Sequence, residues 1–245
     1  MTEMKPFELG YICLEPFLPV LAKSVRRRLI GIAKSLPQPI EILDVGGRKS
    51  HQTINVPANI TVSDLPRETD VQKTLHLGLT DGIIKQTFQR RSNIRNMVFD
   101  DMTQSQLPDG TFDCVVATEV LEHVEEDALF VSHVHRVLKS NGIFLMTTPN
   151  GDSVKNTNPD HKRHYTREQL NALLQSVFDE VRVEYGIKGG RARTLGLKPW
   201  SMRKPVQTGL SMAGNIINTI SSSRTSLKTQ PIGTRHLIAM ARKNA

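Results

Sequence analysis

Only two cysteines, Cys13 and Cys114, occur in 245 residues. That number excludes a disulfide framework and makes a reducing, cytoplasmic setting the expectation. Cys114 lies within an apolar run and reads as a small core residue. No apolar run approaches the ~20 residues that a transmembrane helix requires. The first residues include Glu3, Glu8 and Glu15 rather than a basic-then-apolar signal pattern. No internal repeat is present. Acidic side chains are missing altogether from residues 187–245, which carry 11 basic ones.

What remains suits one large α/β domain. Hydrophobic residues make up 38% and charged residues 23%, enough to build a core and to argue against global disorder. The net charge of +8 is unevenly spread: residues 40–186 hold 15 basic and 21 acidic groups, so the positive excess lies at the two ends. Such asymmetry bears on partners rather than on fold. Residues 1–39 read as a helical extension, with Leu18, Leu21, Val25, Leu29 and Ile32 at helical spacing over 17–35. Arg26, Arg27 and Arg28 are expected to form its solvated face.

Residue 40 onward alternates strand and helix. Ile42-Leu43-Asp44-Val45 is a buried strand running into Gly46-Gly47, where the backbone can turn sharply beneath a ligand. Ile60–Ser63 is a second strand ending at Asp64, 20 positions after Asp44. A carboxylate at that offset is placed to accept both hydroxyls of a nucleotide ribose. A helix over 80–93 precedes a strand at 97–99, then Asp100, Asp101 and the turn Leu107-Pro108-Asp109-Gly110. Strands at 112–117 and 143–146 flank a helix over 125–139, with Asn141-Gly142 as its cap. Strands at 181–185 and 236–240 complete the count, and alternation of this kind implies a parallel sheet with helices on both faces.

Taken together, these residues resemble a class I S-adenosylmethionine-dependent methyltransferase of the small-molecule type. The resemblance covers about 40–186 and the last strand. It rests on Ile42–Gly47, Asp64, Asp101-Met102 with Leu107–Asp113, and Thr118-Glu119-Val120-Leu121-Glu122-His123-Val124. It implies a Rossmann-like seven-stranded sheet, mostly parallel, with an antiparallel last strand. It also implies S-adenosylmethionine as cofactor, held by Asp44, Gly46, Gly47, Asp64, Asp101, Met102 and Glu119. In this chain Arg48 and Ser50 stand where the family has its second and third glycines.

Methyl transfer from a sulfonium needs no metal, and none is expected. His161 and His164 have no third ligand at a supporting spacing. Transfer to oxygen calls for a base, and His123, His161 and His164 are the candidates, with Arg163 and Tyr165 as substrate contacts. Residues 187–234 read as a basic insertion or cap within a 40–245 domain. The stripe Leu210, Ala213, Ile217 and Ile220 is expected to pack onto the protein. The expected activity is methylation, at oxygen, of a small molecule or a glycan or lipid-linked precursor. Anionic or peripheral membrane-surface contact through 187–234 is the accompanying expectation, with nucleic acid ranked below it. No Asn/Asp-Pro-Pro-aromatic tetrapeptide follows the fourth strand, which disfavours nucleobase amino groups. The missing third glycine disfavours a nicotinamide dehydrogenase. The alternative is a degenerate fold serving as a cofactor-, RNA- or membrane-binding module.

Overall fold

The computed structural model describes residues 3–67 and 78–244. Seven strands form one sheet: β1 (Glu41–Val45), β2 (Asn59–Asp64), β3 (Ile94–Phe99), β4 (Phe112–Thr118), β5 (Leu138–Pro149), β6 (Glu180–Lys188) and β7 (Thr234–Arg242). Their order is β3-β2-β1-β4-β5-β7-β6. The first five run parallel, and β7 is antiparallel to both β5 and β6. This is the Rossmann-like sheet that the alternation predicted.

The pleat explains two cores. Leu43, Val115, Phe144 and Met146 enter one hydrophobic cluster, whereas their strand neighbours Ile42, Cys114, Val116 and Leu145 enter the other. On the first face, helices α4 (Asp127–Val137) and α5 (Arg167–Gln175) contribute Phe130, Val131, Val134, Leu170 and Leu174. On the second, α2 (Val20–Ser35) contributes Val25, Leu29 and Ile32, and α3 (Asp81–Arg90) lays Ile83 and Ile84 against it. Both faces are therefore covered, as a parallel sheet demands. Helix α5 starts at a reciprocal capping box formed by Thr166 and Gln169.

Three local expectations give way. Asn141 does not cap the helix, because α4 ends at Val137 and the chain passes directly into β5, with Asn141 at φ 63°. Of the arginine cluster on α2 only Arg27 is on a solvated face. Arg26 is buried, paired with Glu15 at 3.2 Å, bonded to the Ile54 carbonyl and laid over the Tyr11 ring of α1 (Pro6–Leu14). Arg28 reaches Glu184 of β6 at 3.2 Å.

The third correction concerns the segment between β6 and β7. It holds α6 (Arg191–Gly196) and α7 (Pro205–Ser222). The face of α7 that packs inward is Ser211, Gly214, Asn215 and Asn218, not the apolar stripe. Asn215 donates to the Phe17 and Gly196 carbonyls at 2.8 and 2.9 Å, and Asn218 to the Lys188 carbonyl at 2.8 Å. A Cβ at Gly214 would stand 2.8 Å from the Ala192 carbonyl oxygen, so glycine permits the close approach of α6. Leu210, Ile217 and Ile220 are left exposed, Ile220 at 66%.

Candidate functional site

The carboxyl ends of β1, β2, β3 and β4 surround a cavity of about 320 Å³. In an open α/β sheet this edge is where ligands lie. Gly46, Asp64, Asp101, Met102, Glu119 and His123 all line it, although 77 residues separate the first from the last. Gly46 supplies the turn after β1, with φ 67°. Gly47 begins a short 3₁₀ turn, and a Cβ there would lie 2.4 Å from Cγ of Asp44.

Asp44 and Gly47 are not part of the cavity wall. Asp44 is 1% exposed and sits behind the glycine turn, accepting from Thr53 Oγ1 at 2.8 Å. Its Oδ1 has no partner, and burial raises its pKa, opposed by Thr53, Ser50 and Arg91. The acid is therefore placed to hold the turn from behind.

Asp64 ends β2 and accepts from the Leu65 amide at 2.8 Å. Burial raises its pKa, opposed by that amide and by Arg48, whose Nε lies 3.5 Å from Oδ2. Arg48, at the position of a family glycine, thus turns back onto the expected ribose acid and lines the same cavity. Asp101 is held by a tight turn, accepting from the amide and hydroxyl of Thr103 at 2.9 and 2.8 Å. Asp100, which sequence reasoning passed over, also lines the wall, and its buried Oδ2 has no donor.

Beyond β4 the backbone is strained. Glu119 adopts φ 55°, a sparsely populated conformation for a residue with a Cβ. Its carboxylate accepts from Thr147 Oγ1 at 2.9 Å and faces His236 Nδ1 at 3.1 Å. Arg193 of α6 donates to His236 Nε2 at 3.1 Å, which leaves the imidazole proton on Nδ1, near Glu119 but without the alignment of a hydrogen bond. Burial alone would raise the Glu119 pKa, but His236 and Thr147 outweigh it and the net direction is down.

Glu119 also borders a second cavity of about 310 Å³. This one is walled by Gln52 and Thr118 on the sheet side and by Arg193, Asn215 and Asn218 of the β6–β7 segment, with His236 at its edge. The segment therefore does border the site, with the polar Arg193, Asn215 and Asn218 beside Leu197, and Val20, Leu21 and Ile187 add an apolar part to the wall. Arg193 and His236 escaped sequence reasoning because their link to Glu119 exists only once β7 has entered the sheet between β5 and β6.

The histidines form one chain of contacts. His123 Nδ1 meets the Asp160 carbonyl at 3.0 Å, and His164 Nδ1 the Val154 carbonyl at 2.9 Å. Carbonyls accept only, so both nitrogens carry protons. His164 Nε2 then accepts from His161 Nδ1 at 2.8 Å. Nε2 keeps its lone pair on His123 and on His161, whose rings meet edge to face at 4.7 Å. Burial, and after it the charges of His123 and His164, lowers the His161 pKa. Of the three candidate bases only His123 lines the cavity; His161 and His164 stand behind it, His164 orienting His161. Arg163 and Tyr165 serve the loop rather than a substrate, both donating to Asp127 Oδ2, at 2.6 and 2.7 Å. Glu122 lies beneath, 1% exposed, accepting from Thr148 Oγ1 at 3.1 Å. Burial, reinforced by the Glu119 charge, raises its pKa strongly.

Known proteins share this fold. A family model described as a methyltransferase domain matches residues 72–146. The "Probable S-adenosylmethionine-dependent methyltransferase" of Mycolicibacterium smegmatis is 36% identical over 95 residues, 37% of each chain. The aligned stretch thus spans little more than a third of that relative. Among solved structures, a SAM-dependent methyltransferase from Archaeoglobus fulgidus superposes with a TM-score of 0.57 at 18% identity, over 91% of this chain and 94% of its own. A Haemonchus contortus phosphoethanolamine N-methyltransferase bound to phosphomonomethylethanolamine and S-adenosylhomocysteine gives 0.56 at 13% identity, over 89% and 53%. The sheet order and the cavity at its carboxyl edge define a Rossmann-like methyltransferase fold. The middle of the chain is thus similar to S-adenosylmethionine-dependent methyltransferases, and its fold is theirs. Among the described residues, no helix is long and apolar enough to cross a membrane.

Proposed function

We propose that this chain transfers the methyl group of S-adenosylmethionine to an oxygen of a small hydroxylated molecule, including a glycan or lipid-linked precursor. The observation that carries this reading is that Glu119 belongs to the walls of both cavities. One cavity has an acid, Asp64, for ribose hydroxyls and a second acid, Asp101, beside Met102 for the adenine side. The other offers amide, hydroxyl and guanidinium groups from Gln52, Thr118, Asn215 and Arg193, a lining suited to hydroxyl and acidic substituents.

In the reaction an acceptor oxygen lone pair forms the new O–CH₃ bond as the C–S bond breaks. The bonding pair goes to sulfur, turning the sulfonium into a neutral thioether, and the acceptor proton leaves toward the histidine cluster. Holding the two centres in line supplies several kcal/mol, up to roughly 7–11 in favourable cases. Incubation with cofactor labelled in its methyl group, against a panel of phenols, sugars and polyprenyl-linked glycans, tests the reading. Label in a methyl ether is the expected product. Failure to bind S-adenosylhomocysteine at about 1 mM, the weak end of specific binding, would leave the degenerate-module reading in its place.

A peripheral contact with an anionic lipid surface accompanies this reading. It is supported by the outward stripe of α7, where Val206, Leu210, Ile217 and Ile220 are exposed. Ile216 and Ile220 continue into a shallow ledge with Ile12 and Phe17, edged by the exposed Arg27 and by Glu15. An apolar helix face without acids of its own, with a cation at its border, matches the chemistry of such a surface.

A further inference from the structure

We propose that Glu122, His123 and His161 form a binding site for one divalent transition-metal ion. Each offers a ligand atom, and these atoms all lie within 4.8 Å of one another. Sequence reasoning paired His161 with His164 and found no third ligand. The fold instead joins His161 to two ligands from the turn after β4, because the loop carrying His161 is tied to that turn: the Lys162 amide donates to the Glu122 carbonyl at 2.7 Å.

The carboxylate is the independent sign of a ligand. Glu122 is almost fully buried, its Oε2 accepts from Thr148, and its Oε1 has no partner. A buried carboxylate oxygen without a donor is costly, and a cation removes that cost. The imidazoles are set up in the same sense. His123 is fixed through Nδ1 by the Asp160 carbonyl, and His161 through Nδ1 by His164, which is itself held by the Val154 carbonyl. Outer partners on one ring nitrogen, with the other left free, are how metal-ligating histidines are oriented. Two imidazoles and one carboxylate favour Zn²⁺, Mn²⁺ or Fe²⁺ over Mg²⁺ or Ca²⁺, which prefer oxygen ligands throughout.

Three protein ligands leave a coordination position open. His123 lines the cofactor cavity with Glu119, which also borders the acceptor cavity, so an acceptor hydroxyl reaching past Glu119 toward the methyl group can become the next ligand and lose its proton more readily. Only this role rests on the methyl-transfer reading; binding of the ion does not.

Metal-free full-length protein is titrated with Zn²⁺, Mn²⁺ and Mg²⁺ by calorimetry, without cofactor or acceptor, and the ions retained after desalting are counted. The expected result is one Zn²⁺ or Mn²⁺ per chain and much weaker Mg²⁺. Glu122→Gln and His161→Ala lose the ion, and His161→Ala, in a surface loop, covers the case in which Glu122→Gln fails to fold. His164→Ala, which removes only a positioning partner, keeps the stoichiometry and weakens affinity by about 10- to 100-fold. Binding unchanged in His161→Ala, or none at about 1 mM metal, overturns the site. Stoichiometric binding without methyl transfer upholds the site and rejects the catalytic reading instead.

Discussion

The Arg48 guanidinium stands 3.5 Å from the Asp64 carboxylate, and both line the cavity at the carboxyl edge of the sheet. One is the departure from the family's glycine loop; the other is the acid expected to grip the ribose. The pair makes the departure functional in electrostatic terms, because the arginine opposes the rise in pKa that burial imposes on the acid.

The sign of the resulting pH dependence follows. Asp64 has a raised pKa in the fold, so its contribution to folding is greatest below the ordinary aspartate value, about 3.9, and is lost as pH rises through the raised value. Ligand binding runs the other way, since only the carboxylate accepts both ribose hydroxyls. S-adenosylhomocysteine affinity should therefore fall on acidification while the pH is still above about 4. Arg48→Met should move that fall to higher pH, and Asp64→Asn should abolish it with a loss of about 1–3 kcal/mol at neutral pH. Calorimetric titrations across the pH range check all three. A pH profile identical in wild type and Arg48→Met would show that the contact has no bearing on the ligand.

Gly47→Ala tests the turn from behind. The new Cβ would fall 2.4 Å from Asp44 Cγ, a group that is itself fully buried. Neither the strand nor the carboxylate can yield without disturbing the Thr53 hydrogen bond. A destabilisation of about 1–3 kcal/mol is expected, read from urea unfolding, together with weaker adenosyl binding. Gly110→Ala provides the contrast: no atom lies within 4 Å of its Cβ, so the cost is limited to that of φ 55°.

How far these features were legible depends on how local their causes are. Asp64, Asp101 and Gly46 each sit where an apolar strand stops, and strand ends are readable from alternation and turn residues. Glu122 was legible only as part of a motif, because its meaning depends on a loop almost 40 residues away. The Arg193–His236–Glu119 chain required three elements to meet. In α7 the period was read correctly and the face was not. Residues 211, 214, 215 and 218 keep the same i, i+3, i+4, i+7 spacing as an apolar stripe, yet they are Ser, Gly, Asn and Asn. Close backbone approach and four side-chain-to-carbonyl hydrogen bonds took the place of hydrophobic burial, which binary patterning does not register.

His236 separates the two cavities experimentally. It lines the second and not the first, and its Nδ1 lies 3.1 Å from the Glu119 carboxylate. His236→Ala should leave S-adenosylhomocysteine affinity nearly unchanged while lowering kcat/KM for the acceptor by about 10- to 100-fold, equivalent to roughly 1.4–2.7 kcal/mol. Equal losses in both measurements would mean that Glu119 serves the cofactor alone and that the second cavity is not the acceptor site.

The outward stripe of α7 makes a prediction about surfaces that is independent of chemistry. Ile217 is 55% and Ile220 66% exposed, so replacing either with glutamate removes no packing and should change stability by no more than about 0.5 kcal/mol. If the stripe and its bordering cations engage anionic lipid, wild-type protein should co-sediment with vesicles containing phosphatidylserine or phosphatidylglycerol, and less so as salt rises. The double variant Ile217→Glu/Ile220→Glu should remain in the supernatant, because it puts two negative charges on the face that has to enter the headgroup layer. Pure phosphatidylcholine vesicles separate the two contributions: partial binding there measures the apolar stripe, and the increment on anionic vesicles measures Arg27 and the other exposed cations around it. Sedimentation of wild type and double variant to the same extent would assign the stripe to another partner, and a second copy of this chain would then show itself as a larger species by light scattering.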